Sequence, residues 1–117
     1  MCCLEFKVLF YGEIEVTNMY FITCFTKVNK DGYGLDMGLS RTFGYFETYE
    51  DAHQALKTNC CDMFETIYHY AVVEHIEQGI HSIADERWFY KYDKEKDGYA
   101  LIEEPVEFKH YINIALG

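Results

Sequence analysis

Apolar and polar residues alternate from Met19 to Val28, MYFITCFTKV, a segment rich in Tyr, Phe, Ile and Thr. That period-2 pattern predicts a β-strand. Arg41 to Glu47, RTFGYFE, predicts a second strand paired with the first. Asn29 to Ser40 between them reads as loop, with Gly32, Gly34 and Gly38 and the turn signal Asp31-Gly32. At Thr48 the period changes. Its hydroxyl is placed to accept a free backbone N–H, Asp51 stands three places on as in a capping box, and Ala52, Ala55 and Leu56 share one helical face. A helix over 49–58 follows, lying on the sheet and ended by a left-handed Asn59, with a short turn over Asp62 to Thr66.

Tyr68 to Glu77, YHYAVVEHIE, is apolar on both faces and predicts a central third strand. Gln78 to Asp85 reads as loop. Arg87 to Tyr92 and Tyr99 to Glu103 predict a hairpin around Asp93 to Gly98. Beyond Pro105, the only proline, Phe108, Tyr111, Ile112 and Ala115 fall on one helical stripe and predict a short closing helix. The order β-β-α-β-β-β-α predicts an α+β fold: an antiparallel sheet packed by one main helix, with a short C-terminal helix.

The first eighteen residues have two readings. Phe6, Val8 and Phe10 alternate with Lys7, Leu9 and Tyr11 as in a first strand. Alternatively 1–18 is a separable extension of a domain over 19–117. Glu15-Val16 can be encoded by a ribosome-binding sequence at normal bacterial spacing before Met19, which would make Met19 the native start. The segment carries Glu5, Glu13 and Glu15 and lacks the long apolar run of a signal peptide.

A length of 117 residues fits one domain, and half of them are hydrophobic, enough for an ordinary core. Ten basic against twenty acidic residues leave a net charge of −10. That balance opposes direct binding to nucleic acid or to an anionic membrane, both of which rely on Lys and Arg. It serves solubility, and it suits an acidic surface that occupies a basic groove on a partner. The five cysteines include two adjacent pairs, a poor disulfide framework, which points to a reducing cytoplasm.

Chemistry is sparse. No zinc-type Cys or His spacing occurs, and His69 and His75, on one strand face, stand ~20 Å apart at about 3.3 Å per residue. No G-x-S-x-G elbow or Walker Lys is present. The reading is therefore a non-enzyme with no metal and no cofactor. The two arginines each open an aromatic strand, RTFGYF and RWFYKY. Arg41, Tyr45, Arg87, Trp88 and Tyr90 thus form a candidate site for a small nucleotide, with phosphate on guanidinium and base on ring. The plainer reading pairs each arginine with a local acid such as Glu86. Glu103, Glu104 and Glu107 are the candidate acidic surface for a protein partner.

The segments MYFITCFTKVNKDGYG, RTFGYFETYEDAHQAL, NCCDMFE, YHYAVVEHIEQGI and ERWFYKYD resemble a loose group of small accessory proteins of Firmicutes and their phages that has no assigned activity. The resemblance implies a mobile-element origin and a role in the host-cell cytoplasm. The leading expectation is a phage-type anti-defence inhibitor that binds a host protein, such as a nucleic-acid-dependent defence effector, through an acidic, aromatic surface. The alternatives are a sponge for a nucleotide immune signal and an accessory subunit with no defence role. The sequence leaves the oligomeric state open.

Overall fold

The computed structural model describes residues 18–31, 34–80, 83–109 and 113–115. Both readings of the N-terminal segment concern residues outside this set, apart from Asn18. The predicted α+β fold is present. Its elements are β1 (Asn18–Phe25), β2 (Asn29–Asp31), β3 (Gly34–Asp36), β4 (Ser40–Phe46), α1 (Tyr49–Lys57), β5 (Tyr70–Glu77), β6 (Ala84–Asp93) and β7 (Gly98–Ile102). Five strands form one antiparallel sheet in the order β4-β1-β5-β6-β7, and β2 and β3 form a separate small hairpin.

The middle strand is β5, and six of its eight residues, Ala71 to Ile76, are buried. That is why YHYAVVEHIE reads apolar on both faces: each face is covered. On one face Ile22, Cys24, Ala71, Val73 and Tyr90 pack with Ala52, Ala55 and Leu56 of α1. On the other, Phe25, Val72 and Phe89 pack with Phe108 and Ile114 of the C-terminal segment.

The helix signals act as their chemistry requires. Thr48 is extended, and its Oγ1 accepts the Asp51 N–H at 3.2 Å. Asn59 is left-handed at φ 49°, and its side-chain carbonyl then accepts the Phe64 N–H at 3.0 Å. Beside this helix end the β6–β7 hairpin closes at Gly98. A Cβ there would stand 1.9 Å from the Lys57 carbonyl oxygen, so only glycine lets β7 start so near the helix.

Three details depart from the sequence pattern. The 29–40 segment contains the β2–β3 hairpin. Strand β6 begins at Ala84, within the predicted loop, because a bulge opposite His75/Ile76 absorbs an extra residue and keeps Ala84 paired with Ile76. The C-terminal helical element is one 3-10 turn, Val106–Phe108, and the stripe that was to continue it includes Tyr111 and Ile112, outside the described residues. Past that turn the Ile114 and Ala115 N–H groups each donate to Glu74 at 2.7 Å, so side-chain capture takes the place of helical bonds there.

Candidate functional site

The strand register sets one row of side chains across four strands near the end of the sheet: Phe46, Tyr20, His75 and Glu86. Tyr20 and Phe46 pack on the helix-covered core, which places the row on that face. The chain turns from β4 into α1 beside it, so the first helical residue, Tyr49, lands on the neighbouring Trp88, with ring centroids 4.4 Å apart. Tyr20 lies 6.5 Å from Tyr49, 6.1 Å from Trp88 and 4.7 Å from His75. Tyr20, Tyr49 and Trp88 are half-buried, so each keeps part of its ring in solvent.

One helical turn on, His53 enters a closed hydrogen-bonded triangle. The Tyr90 hydroxyl is 2.8 Å from both the Tyr49 hydroxyl and His53 Nδ1, and those two are 3.3 Å apart. Burial, then the Tyr49 hydroxyl, pushes the Tyr90 phenol well above its ordinary value. Tyr90 is thus a neutral anchor for the ring cluster and has no use as a base near neutral pH. Cys24, on the same core face, is pushed up to about 12 by burial and is excluded as a nucleophile.

Carboxylates frame the rings. Glu47, Glu50 and Asp51 are exposed at the β4–α1 turn, and Glu77, Asp85 and Glu86 are exposed at the facing ends of β5 and β6. The helix dipole favours the acids in the first turn of α1, but has no bearing on those of β5 and β6. The exposed lysines lie elsewhere. Lys57 ends the helix, Lys27 follows the far end of β1, Lys91, Lys94 and Lys96 belong to the far hairpin, and Lys109 follows the 3-10 turn on the opposite face. Among the described residues this end of the sheet is therefore aromatic in the middle and acidic at the rim.

The residues singled out from the sequence are only partly brought together. Trp88 and Tyr90 join the ring cluster. Arg41, on the edge strand β4, sits over the Phe43 ring at 4.7 Å and pairs with Glu65 at 3.5 Å. It shares a row with Cys24, Ala71 and Tyr90 on the helix face. Arg87 shares a row with Glu74, Phe21 and Tyr45 on the opposite face. Two strands separate β4 from β6, so the structure does not join the two arginines in one site. Arg87 Nε donates to the fully buried Glu74 at 3.1 Å and its Nη1 to the Phe108 carbonyl at 3.3 Å. Tyr45 is exposed on that face against Phe21. Glu103 and Glu104 are exposed and Glu107 half-buried, and Glu104 reaches Arg87 at 3.9 Å.

The sequence reading missed Tyr20, Tyr49, His53, His75 and the acids of the β5 and β6 ends. The available signal was the even spacing of Val73 and His75 on β5, matched by Glu86, Trp88 and Tyr90 on β6. It points to one face only once the register is known. No protein-family model, curated protein or solved structure matches the chain.

Proposed function

We propose that this chain is a non-catalytic binding module whose acidic, aromatic sheet end docks on a basic surface of a protein partner. The supporting observation is the grouping of half-buried Tyr20, Tyr49 and Trp88 inside a rim of exposed carboxylates, with the exposed lysines among the described residues placed elsewhere. Rigid rings with one wet edge serve as anchors in protein interfaces, and rim charge steers association. The resemblance to phage accessory proteins favours a host defence effector as the partner, since an effector that handles nucleic acid carries the basic groove this end would fill. The candidate acidic contact moves accordingly, from Glu103, Glu104 and Glu107 to Glu47, Glu50 and Glu86. The nucleotide-sponge reading loses the paired arginines on which it was placed.

The test is recovery of the full chain from host cells at low salt, with native mass spectrometry of whatever it retains. The expected result is one retained protein. It should be lost from the variant Glu47→Lys/Glu50→Lys/Glu86→Lys and kept by Glu103→Lys/Glu104→Lys/Glu107→Lys. Its association rate should fall with ionic strength, because steering is screened beyond about 8 Å at physiological salt. Equal retention by both variants, or a nucleotide in place of a protein, overturns the reading.

A further inference from the structure

At the β5–β6 side of this end, one ligand atom from each of His75, Asp85 and Glu86 lies within 4.8 Å of the others. Consecutive residues of a regular strand point to opposite faces, so neighbouring acids do not ordinarily converge on one histidine. Here the β5–β6 register shifts at His75/Ile76, leaving Asp85 as the extra residue between the Glu86–His75 and Ala84–Ile76 pairs. A bulge of this kind re-aims a side chain, and this one brings Asp85 Oδ1 to 2.6 Å from His75 Nδ1 on the same side as Glu86.

We propose that His75 Nδ1 and the carboxylates of Asp85 and Glu86 bind one divalent transition-metal cation. Mixed imidazole and carboxylate donors suit Zn²⁺, Co²⁺, Ni²⁺ and Mn²⁺, and ligands on a tetrahedral ion with ~2.1 Å bonds stand about 3.4 Å apart. The present separations reach that arrangement through side-chain rotation of the two exposed acids. Solvent on the Asp85 and Glu86 side supplies water for the remaining positions. One further observation points to a cation. Apart from the His75 contact, neither Asp85 nor Glu86 has an ion-pair partner among the described residues, so the adjacent carboxylates lack a neutralising charge. The buried His75 Nε2 has no hydrogen-bond partner among the described residues. Coordination through Nδ1 places the ring proton on Nε2, a buried position with no acceptor among the described residues, so the metal bonds must offset the cost of that unpaired donor. The Tyr20 ring, 4.7 Å from the imidazole, holds the ring plane in place.

The inference stands apart from the partner reading, though both draw on Glu86, so metal and a basic partner should compete there. The experiment uses the tag-free full chain, stripped with chelator and then titrated with Zn²⁺ by calorimetry. Amide spectra with Mn²⁺ as a paramagnetic probe locate the site. One Zn²⁺ per chain is expected, with broadening centred on His75, Asp85 and Glu86. Asp85→Asn and Glu86→Gln, both at exposed positions, should each weaken Zn²⁺ by about tenfold or more, since loss of an outer-shell partner alone costs about 10–100-fold. Glu103→Gln/Glu104→Gln should bind as the wild type does. Absence of saturable binding, broadening centred elsewhere, or indifference to both substitutions overturns the site. Partner retention measured in chelator separates the two readings, because docking that persists there leaves the partner proposal standing whatever the metal does.

Discussion

The two faces of the sheet are closed in different ways. One is covered by α1, whose backbone groups bond within the helix, and the sheet beneath it offers Ile22, Cys24, Ala71 and Val73. Under α1 the polar side chains bond to one another in the Tyr49–His53–Tyr90 triangle, and the charged groups of that face, Arg41 and Glu86, lie at its edges. The other face is covered by irregular chain. Past its single 3-10 turn, the N–H groups of Ile114 and Ala115 have no helical partners, so the sheet supplies their acceptors. It does so with a fully buried carboxylate, Glu74, which holds Ile114 and Ala115 while Arg87 neutralises it and binds the Phe108 carbonyl. A self-satisfied cover permits an apolar sheet, whereas an unsatisfied cover brings a charge into the core, with the desolvation cost that follows.

The contrast is broken most directly at Glu74. Glu74→Leu removes the acceptor of Arg87 Nε and of two N–H groups, leaving the guanidinium only the Phe108 carbonyl and the distant Glu104, and should cost about 3–5 kcal/mol, read from the urea midpoint. Amide exchange at Ile114 and Ala115 should accelerate ahead of the rest of the chain. Glu74→Leu/Arg87→Met should recover much of the loss, because removing both charges abolishes the unmet desolvation. A double variant no more stable than the single one would show that the pair itself carries the stability.

Titration of the same group has a defined sign. Burial raises the Glu74 carboxyl above the ordinary 4.5, against the opposing pull of the Ala115 and Ile114 N–H groups and Arg87. The folded state therefore holds this proton more tightly than the unfolded state. The resulting stability is fully present below the unfolded value and is lost as pH rises through the folded one. Relative to Glu74→Gln, the wild type should lose stability from weakly acidic towards neutral pH, and a difference curve of opposite slope would reject this assignment.

On the helix face the largest loss should come from packing. Leu56 is fully buried, and Leu56→Ala should cost about 2–5 kcal/mol as a cavity opens between α1 and the sheet. Exchange at Ile114 and Ala115 should then follow global stability without selective acceleration. Selective release of that segment would mean the two faces are coupled more tightly than their separate covers imply.

Much of this was readable from the residues. Period-2 runs located β1, β4, β5 and β7, and Thr48 with Asn59 bracketed α1, since each signal acts within a few residues of itself. Glu74 was hidden because it sits in a hydrophobic strand, and its partners lie far along the chain at Arg87, Ile114 and Ala115. The convergence of Asp85 and Glu86 on His75 was hidden because it needs a bulge, and a bulge leaves little trace in periodicity. For the same reason Arg41 and Arg87 look alike in sequence, each opening an aromatic strand, while the register sends them to opposite faces.

The smallest expected effect tests the neutral side of the contrast. Tyr90→Phe removes one hydroxyl from the triangle and keeps the ring in its packed position. Tyr49 and His53 remain 3.3 Å apart and still bond to each other, and both are half-buried, so water can reach what is left unmet. Two hydrogen bonds go with that hydroxyl, each worth about 0.5–1.5 kcal/mol before water and the remaining Tyr49–His53 bond offset part of the loss. The measurement is the urea midpoint beside that of Glu74→Leu under the same conditions. A much smaller loss for Tyr90→Phe fits groups that can find other partners, whereas Glu74 holds three partners at once from within the core. Losses of equal size would mean that the triangle depends on its partners as fully as the ion pair does. The nature of the covering chain would then not be what decides where this core places charge.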